Sequence, residues 1–238
     1  MLLKYSPKPN CFNAAANWAV ITITELIAQL CFFWSIFIIF SLMPNLYIIA
    51  GCNGAGKTTA SYTVLPELLN CYEFVNADNI AAGISPFNPE SVALGAGRIM
   101  LQRIEELLKQ KVDFAIETTL SIRSYVSMIK KVQQNGYNVT LLYFWLKSPQ
   151  MAMQRVALRV SEGGHNIPKD VIIRRYYGGL KNLIQLYIPI CDKWLVANNT
   201  NVEPIFVARG GLRFETSIIK ADIWSTILKQ SDDNESKY

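Results

Sequence analysis

The sequence predicts an α/β fold: a parallel sheet with helices on both faces, preceded by an apolar N-terminal extension. Three observations predict it. Short apolar runs rich in β-branched residues alternate with longer stretches of helical spacing. A glycine-rich turn, Gly51–Thr58, stands between the first such run and the first such stretch. The chain of 238 residues, 51% apolar and 17% charged, suffices for one sizeable domain and is too short for two.

From Ala19 to Leu42 nearly every residue is apolar, with Glu25 and Gln29 as interruptions. The block is long enough for a transmembrane helix. A secretory leader needs small residues at a cleavage site, and Ser41-Leu42-Met43-Pro44 is a poor one. The third reading, a translated upstream segment with Met43 as the natural start, is preferred on two grounds. The first strand begins at about Asn45, which leaves a membrane helix almost no linker to a strand deep in a parallel sheet. The flanking positive charges, Lys4 and Lys8, precede the block, an orientation that would carry the domain out of the cytoplasm. The expected organisation is an extension at 1–42, one domain at 43–230 and a polar tail at 231–238, cytoplasmic and without membrane attachment.

Taken in order, Asn45–Ala50 reads as a buried strand, and a helix runs from about Lys57 toward Leu69. Phe74–Asn76 is a second strand. Asn88–Lys111 has the apolar spacing of a long helix. Phe114–Ile116 is a third strand, ending at Glu117. Ile122–Gln134 is a helix closed by Asn135-Gly136, and Asn138–Leu146 is the clearest strand. Gln150–Ser161 is helical, a loop holds Gly163–Asn166, and a further helix opens near Pro168. Trp194–Ala197 and Pro204–Ala208 are late strands, and Ile223–Lys229 is a terminal helix.

Five scattered cysteines with no C-x-x-C imply neither a disulfide framework nor structural zinc, and suit a reducing compartment. A single histidine, His165, excludes a histidine-rich zinc site. The net charge of +5 suits a phosphate-rich partner.

Gly51-Cys52-Asn53-Gly54-Ala55-Gly56-Lys57-Thr58 fits G-x-x-x-x-G-K-[ST] with a strand before it and a helix after. The glycines let the backbone curl so that N–H groups point inward, and the helix adds its positive end beneath them. Lys57 reaches β- and γ-phosphates, and the Thr58 hydroxyl is the metal ligand for Mg²⁺. ATP is therefore expected on Gly51, Asn53, Gly54, Ala55, Gly56, Lys57, Thr58 and Thr59, in a P-loop NTPase fold of the nucleotide-kinase kind. No N-K-x-D is present to read guanine.

Asp78 follows the second strand, at the sheet edge where a carboxylate takes the proton of an acceptor hydroxyl; the competing reading is a helix cap. Glu117 and Thr119 end the third strand at the same edge. Glu117 either holds substrate hydroxyls or acts on Mg²⁺ through water, and the competing reading is a structural hydrogen bond. Arg155 and Arg159 share a helix face, and Arg174 and Arg175 follow on the next helix. Converging arginines are what phosphoryl transfer needs; a solvated basic face is the alternative. Glu162–Pro168 between them reads as a mobile lid.

The pieces PNLYIIAGCNGAGKTT, FVNADNIA, FAIETTLS and RVALRV…GGHNIP…RRY together resemble the zeta-toxin family of P-loop kinases, from Pro44 to about Gly210. The family's characterised members phosphorylate UDP-N-acetylglucosamine on the sugar 3′-hydroxyl. The resemblance implies Lys57 as the loop lysine, Asp78 as general base, Glu117 and Thr119 as acceptor-binding residues and Arg159 as a phosphate-contacting lid arginine. A second lid arginine of toxin members falls near His165, so that role passes to His165, Arg174 or Arg175; Arg175 stands with Lys57, Asp78 and Arg159 as a candidate catalytic residue. Arg155 is placed on the nucleotide. The expected activity is ATP-dependent phosphorylation of a small hydroxyl acceptor, UDP-N-acetylglucosamine or a relative, with an antitoxin protein as a further partner. The alternative is an ATP-hydrolysing module without sugar-nucleotide kinase activity. No basic–aromatic stripe is present, so no nucleic-acid partner is expected.

Overall fold

The computed structural model describes residues 43–201 and 203–232. The apolar block at 1–42 and the tail beyond Asp232 lie outside the described residues.

Strand β1 (Asn45–Ala50) is buried after its first residue, as a run of leucine, tyrosine and isoleucine in a two-faced sheet requires. Its start is pinned by Asp113, whose carboxylate accepts from the Asn45 backbone N–H at 2.7 Å and side-chain amide at 3.1 Å. Helix α1 (Lys57–Thr63) continues as a π-helical turn, Val64–Leu68, around Pro66, which has no N–H for the ladder. β2 (Phe74–Val75), α2 (Ala77–Ile84), a 3₁₀ turn (Pro89–Val92), α3 (Ala93–Gln110) and β3 (Phe114–Thr118) follow. Then come α4 (Tyr125–Gln134), β4 (Asn138–Trp145), α5 (Pro149–Ser161) and α6 (Lys169–Asn182), the last extended by a π-helical turn, Leu183–Tyr187. β5 (Lys193–Asn198), β6 (Ile205–Gly211), β7 (Phe214–Ile218) and α7 (Ala221–Asp232) complete the described residues.

The seven strands are ordered β2-β3-β1-β4-β5-β6-β7. β1 to β5 pair in parallel, as expected, while β6 and β7 add an antiparallel edge. The strand order turns back at β1, which opens a crevice at the carboxyl ends of β1, β3 and β4.

Several elements differ from expectation. Helix α2 and strand β7 are additions. The long helix begins at Ala93, because Pro89 favours a separate 3₁₀ turn. The helix expected from Ile122 begins at Tyr125, because 119–124 form a turn in which Leu120 adopts a φ of 56°. Helix α7 runs through Ser231 and Asp232, and Ser231 is buried. Gln230 ties this helix down: its carbonyl accepts from Trp145 Nε1 at 3.0 Å and the Tyr176 hydroxyl at 2.9 Å. Among the described residues no helix is long and apolar enough to cross a membrane.

Candidate functional site

The turn after β1 curls because Gly51, Gly54 and Gly56 take φ values of 144°, 77° and 80°. A side chain at Gly56 would also meet Asn199: a Cβ there would lie 2.6 Å from Asn199 Nδ2. That amide donates to the Ala55 carbonyl at 2.7 Å, so the loop after β5 braces the phosphate loop from outside. Gly56 ends the loop without a side-chain cap on α1, which leaves first-turn N–H groups of this helix to an anion.

Lys57 is buried. Its ammonium donates to the Cys52 carbonyl at 3.1 Å and pairs with Glu117 Oε1 at 3.5 Å. The other carboxylate oxygen of Glu117 accepts from the Thr58 hydroxyl and from Asn76 Nδ2, each at 2.8 Å. Burial pushes the Cys52 thiol up to about 11, against the opposing charges of Lys57 and Arg155. Cys52 therefore packs as a neutral side chain under the loop.

Asp78 does not cap α2. Asn76 does so: its Oδ1 accepts from the N–H groups of Asp78 at 2.8 Å and Asn79 at 3.2 Å. The Asp78 carboxylate instead lines three adjoining cavities.

One cavity, of about 480 Å³, lies between the loop residues Gly54 and Gly56–Thr59 on one side and Arg155, Arg159 and His165 on the other. Arg155 donates to the Thr200 carbonyl at 3.0 Å. Arg159 donates through Nη2 to the His165 carbonyl at 3.1 Å, while its Nε is buried without a hydrogen-bond partner. An orphaned guanidinium donor beside the glycine-rich loop fits a phosphate chain. Among the described residues no group of three or more His, Cys, Asp or Glu side chains could hold a metal ion. The adjacent oxygens of Thr58 and Glu117 would fit a hard divalent cation that keeps most of its waters.

The second cavity, of about 460 Å³, shares Lys57 and Asp78 with the first. Its wall includes Thr119, Ser121, Ile122, Tyr125, Arg174 and Arg175. Burial, and more weakly the charge of Asp78, raise the Tyr125 phenol above its ordinary value against a lowering hydrogen bond to Thr118, so it remains a donor. Arg175 reaches Asn53 Oδ1 at 3.3 Å, joining this wall to the phosphate loop. A third cavity, of about 440 Å³, places His165 beside Arg174 and Arg175.

Helix α6 holds the turn after β3 as well as carrying these arginines. A Cβ at Gly179 would lie 2.5 Å from the Thr119 carbonyl oxygen, so only glycine allows the contact. Asn182 Nδ2 donates to the Leu120 carbonyl at 2.7 Å, and the Tyr187 hydroxyl donates to the Ile122 carbonyl.

The expected site residues line these cavities, Arg155 and Arg159 the first and Thr119, Arg174 and Arg175 the second, except Gly51 and Ala55, which are buried within the loop and line none of the three. Sequence reasoning missed Asn76, Asn199, Tyr125 and Gly179. For Asn76 a signal existed, since asparagine directly before A-D-N-I-A-A is a strong N-cap pattern. Asn199 and Gly179 act through contacts distant in sequence and left no local signal.

A protein of Haemophilus influenzae, named only as uncharacterized, is 32% identical over 126 residues, which are 53% of this chain and 88% of that protein. In architecture the chain is similar to a chain of the AvrRxo1-ORF1:AvrRxo1-ORF2 complex, in structures with sulphate ions (TM-score 0.64) and with ATP (TM-score 0.62). Identity to it is 18%; the match covers 78% of this chain but only 63% of that one, under two thirds of its length. It is also similar to a chain of the PezAT chromosomal toxin–antitoxin system of Streptococcus pneumoniae, with a TM-score of 0.54, 18% identity and coverage of 68% of this chain and 72% of that one. The Zeta toxin family model matches residues 40–202. That range takes in β1 to β5 and every residue of the crevice, and the chain belongs to the zeta toxin family of P-loop kinase-like proteins.

Proposed function

We propose that the chain is an ATP-dependent kinase that transfers the γ-phosphate to a hydroxyl of a small acceptor, UDP-N-acetylglucosamine or a relative. The observation that carries this reading is that two cavities meet at Lys57 and Asp78, one walled by the phosphate loop and the other by Thr119–Tyr125 and the α6 arginines. A donor phosphate and an acceptor hydroxyl placed in these cavities face each other across a cation and a carboxylate. Phosphoryl transfer asks for little else, because its loose transition state is stabilised by position and charge.

In this reading the loop N–H groups, Lys57, Arg155 and Arg159 hold the ATP phosphates. Asp78 takes the proton of the acceptor hydroxyl. Glu117 and Thr119 hold the acceptor, and Arg175 bridges from the acceptor wall to the loop. Thr58, with Glu117 beside it, would hold Mg²⁺, which neutralises charge on the phosphate oxygens when bound. The enzyme works in the cytoplasm, where ATP is. An antitoxin protein is proposed as its partner, in keeping with the family.

Measuring ADP release with and without UDP-N-acetylglucosamine, with mass spectrometry of the sugar nucleotide, tests the proposal. Acceptor-dependent turnover and a phosphorylated product are expected. Turnover indifferent to the acceptor would replace the kinase with an ATPase.

A further inference from the structure

We infer that Asn76 is a positioning residue that fixes the general base relative to the phosphate loop. This rests on the reading of the crevice as one phosphotransfer site. Asn76 is buried, 5% exposed, and both ends of its amide are engaged. The oxygen accepts from the N–H groups of Asp78 and Asn79, which fixes where the first turn of α2 starts. The nitrogen donates to Glu117 Oε2, the same atom that accepts from the Thr58 hydroxyl. Glu117 in turn pairs with Lys57. Asn76 thus joins the nucleotide side, through Glu117, to the backbone that carries Asp78. A helix cap alone needs only the oxygen, which serine or aspartate supplies equally well. The link to Glu117 needs a donor on the same side chain, and of the good capping residues asparagine reaches it with an N–H while keeping the cap.

Two variants separate the cap from the link. Asn76→Ser keeps the cap but is too short to reach Glu117. Asn76→Asp keeps the cap but sets a second carboxylate against Glu117. Adding Glu117→Gln to Asn76→Asp restores a donor–acceptor pair with its direction reversed. The experiment is a double-mutant cycle over Asn76→Asp and Glu117→Gln, read by calorimetric titration with Mg·ATP and by kcat and KM with UDP-N-acetylglucosamine, with thermal unfolding as a folding control.

Asn76→Ser is expected to unfold as the parent does and to lose roughly tenfold in kcat with little change in KM. Asn76→Asp is expected to weaken Mg·ATP binding by roughly tenfold, and the double variant to bind it more tightly than either single effect predicts by at least about fivefold. Additive effects on Mg·ATP affinity, or full kcat in Asn76→Ser, would overturn the inference. If the parent binds Mg·ATP but leaves UDP-N-acetylglucosamine untouched, the acceptor reading falls, and the binding cycle still decides the role of Asn76. A parent that does not bind Mg·ATP would overturn both.

Discussion

Lys57 and Glu117 stand 3.5 Å apart at the floor of the crevice, with side-chain exposures of only 7% and 9%. Each charge is compensated by the other, and Glu117 holds two neutral donors besides. Removing the ammonium leaves the carboxylate hydrogen-bonded but without its cation. Lys57→Met is therefore expected to abolish phosphotransfer while costing about 1–3 kcal/mol of stability, measured by urea unfolding. Near-parental turnover would remove Lys57 from the site.

Because Asn76 caps α2, Asp78 can be changed without touching the cap. Asp78→Asn is expected to leave the unfolding midpoint and Mg·ATP affinity unchanged and to lower the phosphotransfer rate by roughly 10²–10⁴-fold. A rate within about twofold of the parent, at saturating ATP and acceptor, would take Asp78 out of proton transfer.

Gly179 allows α6 to touch the Thr119 carbonyl. Gly179→Ala must push the turn or the helix aside. The expected outcome is a fall of roughly 10–10²-fold in kcat/KM for the acceptor, with nucleotide affinity retained. Steady-state kinetics varied in each substrate separates the two; an equal loss on both sides would mean that the change spreads through the fold.

Burial pushes the thiols of Cys52 and Cys71 up to about 11 and that of Cys191 up to about 12. In the unfolded chain a thiol loses its proton near pH 8.5, roughly. Between that pH and the folded values, the unfolded state binds fewer protons, so stability falls as pH rises. Urea midpoints should drop steadily above pH 9, approximately, and iodoacetamide at pH 8 or so should leave these three cysteines unmodified until the chain unfolds. Rapid alkylation of Cys52 in the folded protein would contradict its burial under the loop.

The first half of the parallel sheet and the phosphate loop were legible because their signals are local. Residues 45–58 carry an apolar run, three glycines and a lysine in fixed spacing, and nothing distant is needed to read them. The edge was not legible. Every residue of β7 is exposed, so its sequence shows no burial pattern, and only pairing with β6 defines it. The turn after β3 misled for a related reason. Leu120 is fully buried yet left-handed, and its carbonyl is held by Asn182, which lies 62 residues away in sequence. In the crevice, residue types pointed to Lys57, Asp78 and Glu117, which line the same cavities. The partition into two cavities, and the place of the α6 arginines in the one that Thr119 lines, depended on packing between elements and could be seen only in three dimensions.

In the proposed reaction, helix α6 has a consequence for how acceptor choice can change. Its N-terminal half presents Arg174 and Arg175, and its C-terminal half fixes the turn at 119–122 through Gly179 and Asn182. A substitution that reshapes that turn therefore also shifts the arginines, and one that shifts the arginines tugs on the turn. Substitutions in the two segments should be strongly epistatic: neutral in one background, damaging in another. A library randomised at both segments together should yield altered acceptor preference at sites where single-position libraries yield only loss of activity.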